Sequence, residues 1–317
     1  MDKLSIIIPT MQRNTKILDM LVSQLDKNNI IDEIIIIDNS LKGYSFDSSK
    51  ISVHTPISNM YVNPSWNYGV KLAKSNYIGI LNDDLLLPEN LCEDVLKFIK
   101  KTPNVGVIGV ESSSVINDDL REFNTYPDCT TNLEFKKLNN IRENKNNYWG
   151  CAIFGPKENF YTIPSDMLIY CGDDYYLLMN VKNKKDNYAF FNTTINHCHS
   201  LTSASPEFLK IKKNDMKIYA KLDPEFKKYL FKRELSKFIQ QIFSVQNSTD
   251  KNHKIITILF ILLSAFFFFL ILIIYLTSEG IKLLRRADNI FARVHCALQN
   301  YQLHGVKYKC WIESHLF

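Results

Sequence analysis

Two adjacent carboxylates, Asp83 and Asp84, follow the apolar run at 77–81 and the polar Asn82. A buried strand gains nothing from charge at its end, whereas a strand that delivers carboxylates to the mouth of a sheet can hold a divalent cation over a phosphate. Hard oxygen donors select Mg²⁺ or Mn²⁺, with one or two carboxylates from the protein and the remaining ligands from phosphate and water. The bland alternative is an N-cap for the following turn. Asp38 closes the β-branched run at 34–37, where it can accept hydrogen bonds from a base or ribose or simply start a turn. Pro9 and Thr10 end the first apolar run beside it. Asp173 and Asp174 open a helical run after Gly172. A carboxylate fixed there can act as general base toward an acceptor hydroxyl, although acidic residues also suit a first helical turn for dipole reasons alone. His197 and His199 follow the last strand-like run. One of the two is kept as a candidate third contact to metal or phosphate.

The elements that must position these groups alternate. Strand patterns cover 4–8, 33–38, 51–54, 77–82 and 105–110, and helical patterns cover 15–27, 65–74 and 89–101. The unbroken isoleucines at 34–37 imply a strand covered on both faces, as in a parallel sheet between helix layers. From 111 to 147 the pattern is lost in an Asn-, Asp- and Lys-rich stretch that reads as long loops or a flap. Strand patterns return at 149–154 and 188–193, with a helical run at 175–181 between them. Residues 207–243 look helical and basic, and 244–252 read as a polar linker.

Charge is unevenly spread over the 317 residues: 20 Lys/Arg face 24 Asp/Glu in 1–205, against 18 and 9 in 206–317. The basic excess flanks 22 consecutive uncharged residues, 255–276. As a helix they would reach about 33 Å, enough to cross a bilayer core. Basic residues beside such a span suit anionic head groups better than nucleic acid. Lys/Arg counts on the two sides of the span nearly balance, so they do not orient it. No export signal opens the sequence, which favours a catalytic domain on the cytosolic side of a single-pass membrane protein. Beyond the span, 281–301 has apolar residues at helical spacing, fitting a helix in the membrane interface or one packed on protein. Seven cysteines without a Cys-x-x-Cys pair argue against a disulfide framework or a zinc knuckle.

In order, these pieces resemble the inverting nucleotide-sugar glycosyltransferases of family 2, with their GT-A fold. The resemblance runs through Ser5 to Thr10, Ile37 to Ser40, the asparagine series Asn59, Asn63 and Asn67 with Gly69, and Leu81 to Asp84. It continues through Trp149 to Ala152, Gly172 to Tyr175, and His199 with Ser203. It implies an α/β domain at 1–205 with a mixed, mostly parallel sheet. A basic segment at 206–254, the transmembrane helix at 255–276 and a tail at 277–317 would follow. It also implies that Pro9, Thr10, Asp38, Asn67, Asn82 and Asp83 bind the nucleotide sugar. Asp84, Asp83 and His199 would hold Mn²⁺ or Mg²⁺, and Asp174 would be the catalytic base. Asn82 stands where many members carry aspartate.

The implied reaction is a single displacement at the anomeric carbon, with a glycan, lipid-linked or protein acceptor and membrane lipids as further partners. Two other readings stay open. A sugar nucleotidyltransferase would want a glycine-rich loop that the residues after Thr10 lack, and a membrane-tethered binding protein would keep the scaffold without the chemistry.

Overall fold

Runs of β-branched residues become strands shielded on both sides. In the computed structural model, which describes residues 2–118, 125–128, 132–138, 147–198, 206–231, 233 and 236, β1 (Leu4–Thr10), β2 (Ile31–Asp38), β3 (Ile51–His54) and β4 (Tyr77–Leu81) lie parallel in the order β3-β2-β1-β4. The sheet continues through β9 (Asn147–Pro156), which runs antiparallel between β4 and β6 (Val105–Glu111). Next come β10 (Asp186–Phe191), parallel to β6, and the antiparallel edge strand β8 (Glu134–Lys137). Six strands thus point one way and two the other, a mixed, mostly parallel sheet.

Period-2 alternation decides which helix each side chain meets. Leu4, Ile6 and Ile8 pack with Leu18, Leu21 and Val22 of α1 (Thr15–Lys27) and with Val95 and Ile99 of α3 (Leu91–Lys101). Ile7, on the other face, meets α2 (Val62–Leu72). There Gly69 lets the helix settle, since a Cβ would stand 2.4 Å from Ile7 Cγ2. Trp66 of α2 stacks on Tyr176 of α4 (Gly172–Lys182) on that face. Ile34 to Ile37 are all buried as a result, each contributing about 1.5–3 kcal/mol relative to exposure.

A second sheet joins β5 (Leu85–Leu86), β11 (Ile195–Cys198) and β7 (Val115–Asp118). The segment at 111–147, expected as loops, therefore supplies β7 and β8. Both are four-residue strands stabilised by distant partners, which local pattern does not reveal. The helix expected at 65–74 begins earlier, at Val62.

α5 (Pro206–Leu222) belongs to the compact unit Met1–Tyr229 rather than to a separate segment starting at 206. The second unit, Leu230–Phe317, lies almost wholly outside the described residues, and with it the expected span at 255–276 and the tail. Among the described residues no helix is long and apolar enough to cross a membrane.

Candidate active site

The chain leaves β1 toward β2 and β3 on one side and returns to β4 on the other, which opens a crevice at the carboxyl ends of β1 and β4. Thr10 and Asp83 meet there: the Thr10 hydroxyl donates to Asp83 Oδ2 at 2.5 Å, and its oxygen accepts the Gln12 N–H at 2.8 Å. Burial raises the Asp83 pKa to about 6, with the Asp84 charge adding to the shift and the Thr10 hydroxyl and Met11 N–H opposing it.

Asp83 is therefore a carboxylate whose ionisation costs the folded state. Between roughly pH 4 and 6 the folded chain keeps a proton that the unfolded chain has released, so this group's contribution to stability falls as pH rises through that window. In chelator-treated protein, Asp83→Asn is expected to raise stability above pH 6, on the order of 1–3 kcal/mol, and to flatten its pH dependence between 4 and 6. Urea titrations across pH check this, and an unchanged slope would contradict it.

Asp84 sits one residue on, where the chain enters β5. Its carbonyl accepts the Cys198 N–H at 2.8 Å, and the antiparallel pairing of β5 with β11 sets His197 opposite Leu85. His197 Nε2 consequently lies 3.2 Å from Asp84 Oδ1, with both groups largely buried. Of the two histidines, His197 is thus the one seen at the site. His199, the expected metal contact, lies outside the described residues. Pairing to β5 was the signal for His197, and a two-residue strand is too short to recognise in advance.

Because β9 runs against β4, its first half reaches the same edge. Asn82 N–H donates to Cys151 O at 2.9 Å, which ties down the Asn82 backbone. The buried Cys151 thiol is pushed up first by burial, then by the charge of Asp84, and further by Asp173. Asp173 Oδ2 lies 3.5 Å from the place a Cβ on Gly150 would occupy. Asp84 and Asp173, distant in sequence, therefore both bring their charge to bear on one residue, Cys151. Asp173 is itself raised by burial, opposed by the backbone N–H groups of Asp174 and of Asp173. Asp174 accepts a hydrogen bond from the Cys171 thiol, whose pKa rises through burial and the charges of Asp174 and Asp173. Gly172 begins α4 tightly against α2, since a Cβ would fall 2.2 Å from Asn63 Oδ1.

Two expected sugar-nucleotide contacts take a different form. Asp38 is fully buried, and its carboxylate accepts from Ser40 N–H (3.0 Å), Ser40 Oγ (2.6 Å), Gly43 N–H (2.9 Å) and Gln12 Nε2 (2.9 Å). A carboxylate offers about four acceptor sites, so Asp38 shapes the turn after β2, and a base would have to displace the Gln12 amide to reach it. Asn67 has both ends of its amide on Ile163, donating to its carbonyl and accepting its N–H, each at 2.9 Å. It straps a loop to α2 instead of facing a ligand. Pro9 pairs in register with Ile37 beside Thr10 and Asp38, so it lines the same edge through its backbone.

Asp83 and Asp84 suit a hard divalent cation: they are adjacent oxygen donors, and Asp83 is lifted by burial and then by the charge of Asp84. Among the described residues no three His, Cys, Asp or Glu side chains form a metal cage.

Over 112 residues the chain is 30% identical to a protein of Haemophilus influenzae described as an uncharacterized glycosyltransferase, a match covering 33% of this chain and 37% of that one. The matched stretch is thus little more than a third of that relative's length. Among solved structures, S. aureus TarS 1-349 aligns at 14% identity with a TM-score of 0.44, over 62% of this chain and 60% of that one. The same protein in complex with UDP aligns at 12% identity and a TM-score of 0.44, over 62% and 61%. Residues 5–161 match the family model Glycosyl transferase family 2.

Proposed function

We propose that this protein transfers a glycosyl group from a nucleoside-diphosphate sugar to an acceptor hydroxyl or phosphate, with inversion at the anomeric carbon. The observation that carries the reading is that Asp84, inside the stretch that matches the family 2 model, and Asp173, beyond it, both act on Cys151 at the carboxyl edge of the sheet. In this scheme Thr10, Pro9 and the turn held by Asp38 border the nucleotide, and Asp174 takes the proton from the attacking acceptor. Asp84 and Asp83 would hold Mg²⁺ or Mn²⁺, which when bound would neutralise charge on the departing diphosphate. Residues 255–276 would anchor the chain in a membrane with the catalytic domain on the cytosolic side, bringing it to a lipid-linked, glycan or protein acceptor.

The test uses full-length protein in washed membranes, supplied with UDP-, GDP- and dTDP-sugars with and without Mn²⁺. Activity is expected to stay in the membrane fraction after an alkaline wash and to release nucleoside diphosphate from one donor class. Pyrophosphate release would instead indicate a nucleotidyltransferase. Failure of every donor to bind or turn over would indicate a scaffold without the chemistry.

A further inference from the structure

The two carboxylates at the start of α4 are held by a helix outside the matched domain. On α5, Asp215 and Tyr219 stand four residues apart and so share one face of the helix, and both are fully buried. Asp215 Oδ2 accepts three successive backbone N–H groups: Leu168 at 3.1 Å, Ile169 at 2.7 Å and Tyr170 at 2.9 Å. The Tyr219 hydroxyl donates to the Asp174 carbonyl at 3.0 Å. These contacts bracket Cys171, a non-glycine residue in the left-handed region at φ 60°, and Gly172, where α4 begins.

The opposite side of the same segment is fastened to α2. Asn63 donates its backbone N–H to Leu168 O at 2.9 Å and its amide to Tyr170 O at 3.2 Å, and Asn67 holds Ile163. Residues 163–171 are thus gripped between two helices, and the grip from α5 comes from a buried carboxylate.

Burying a carboxylate is expensive unless strong hydrogen bonds compensate it. Here the compensation comes from consecutive N–H groups that neither sheet nor helix satisfies. Three bonds converging on one oxygen fix the direction in which the chain enters α4, and the Tyr219 bond fixes the first turn. Since Asp173 and Asp174 occupy that turn, their placement against Gly150 and Cys151 depends on α5.

We propose that Asp215 and Tyr219 are positioning residues for glycosyl transfer, holding the Asp173 and Asp174 carboxylates at the reacting edge without touching substrate themselves. This rests on the function proposed above. An error of about 1 Å in such placement costs up to roughly a hundredfold in rate.

The experiment compares full-length wild type, Asp215→Asn and Tyr219→Phe. The second variant removes one hydroxyl and keeps the ring against Phe226, so it guards against a simple folding failure. In each, kcat per nucleotide-binding site, donor KM and hydrogen exchange over 168–174 are measured. The expected result is a tenfold to hundredfold loss of kcat with donor KM within about twofold, and faster exchange at 168–170 in Asp215→Asn. Turnover per binding site equal to wild type would overturn the proposal, because a merely structural role lowers only the number of folded sites. Wild type that releases no nucleoside diphosphate from any donor would instead sink the reading of function. In that event the exchange data still report separately on the grip of Asp215 on the loop.

Discussion

Asp84→Ala is expected to weaken nucleotide-sugar binding by roughly thirtyfold to several hundredfold, about 2–4 kcal/mol, and to abolish any response of that binding to Mn²⁺. The size follows from what the side chain supplies: a hard anionic oxygen at the end of β4, next to a carboxylate pushed up by burial and further by the charge of Asp84. With Asp84 gone the cation that would bridge protein and diphosphate loses a ligand, and a diphosphate brought to this edge without it still meets the Asp83 carboxylate, which is where the loss arises. The fold should survive. The link between β4, β5 and β11 runs through the Asp84 carbonyl, which accepts the Cys198 N–H, and a substitution to alanine leaves that bond in place. His197 loses the carboxylate 3.2 Å away, so the double variant with His197→Gln separates that loss from loss of the metal contact. Isothermal titration with donor, with and without Mn²⁺, decides the matter. Affinity equal to wild type in both conditions would remove Asp84 from the site.

The sequence made visible whatever is written locally. The isoleucine run at 34–37 announced a strand covered on two faces, and the helix at 15–27 coincides with α1, whose Ile17, Leu18, Leu21, Val22 and Leu25 form its buried stripe. The carboxylates at strand and helix ends were legible too, since charge is out of place beside an apolar run. What escaped depends on partners far along the chain. β5 has two residues and exists because β11 pairs with it, so the approach of His197 to Asp84 could not be read. Asn67 read as a nucleotide-sugar contact, yet it and Asn63 reach residues 163–170, about a hundred positions away. Asp215 gave no local sign at all, because an acid among lysines on a basic helix looks solvated, and burial by a distant loop is what reverses that reading.

The last expectation concerns which of the paired acids moves the proton. Asp174→Asn should leave donor affinity within about twofold of wild type and lower transfer by roughly a hundredfold to ten-thousandfold, the range for loss of a general base. Inversion requires the acceptor to attack on the face opposite the departing diphosphate, so the base and the diphosphate must lie on different sides of the sugar. Asp173 is the acid whose charge, like that of Asp84, raises the Cys151 thiol, and under the proposed function it would stand on the diphosphate side. Asp174 stands about 100° further round the helix, with its carboxylate on the Cys171 thiol. Asp173→Asn should accordingly impair donor binding, and because burial raises the Asp173 pKa, its removal should also weaken the pH dependence of donor affinity on the acid side. Donor titration combined with single-turnover transfer in both variants resolves the assignment. If Asp173→Asn keeps its donor affinity and loses transfer while Asp174→Asn does the reverse, the two roles are exchanged and Asp174 is not the base.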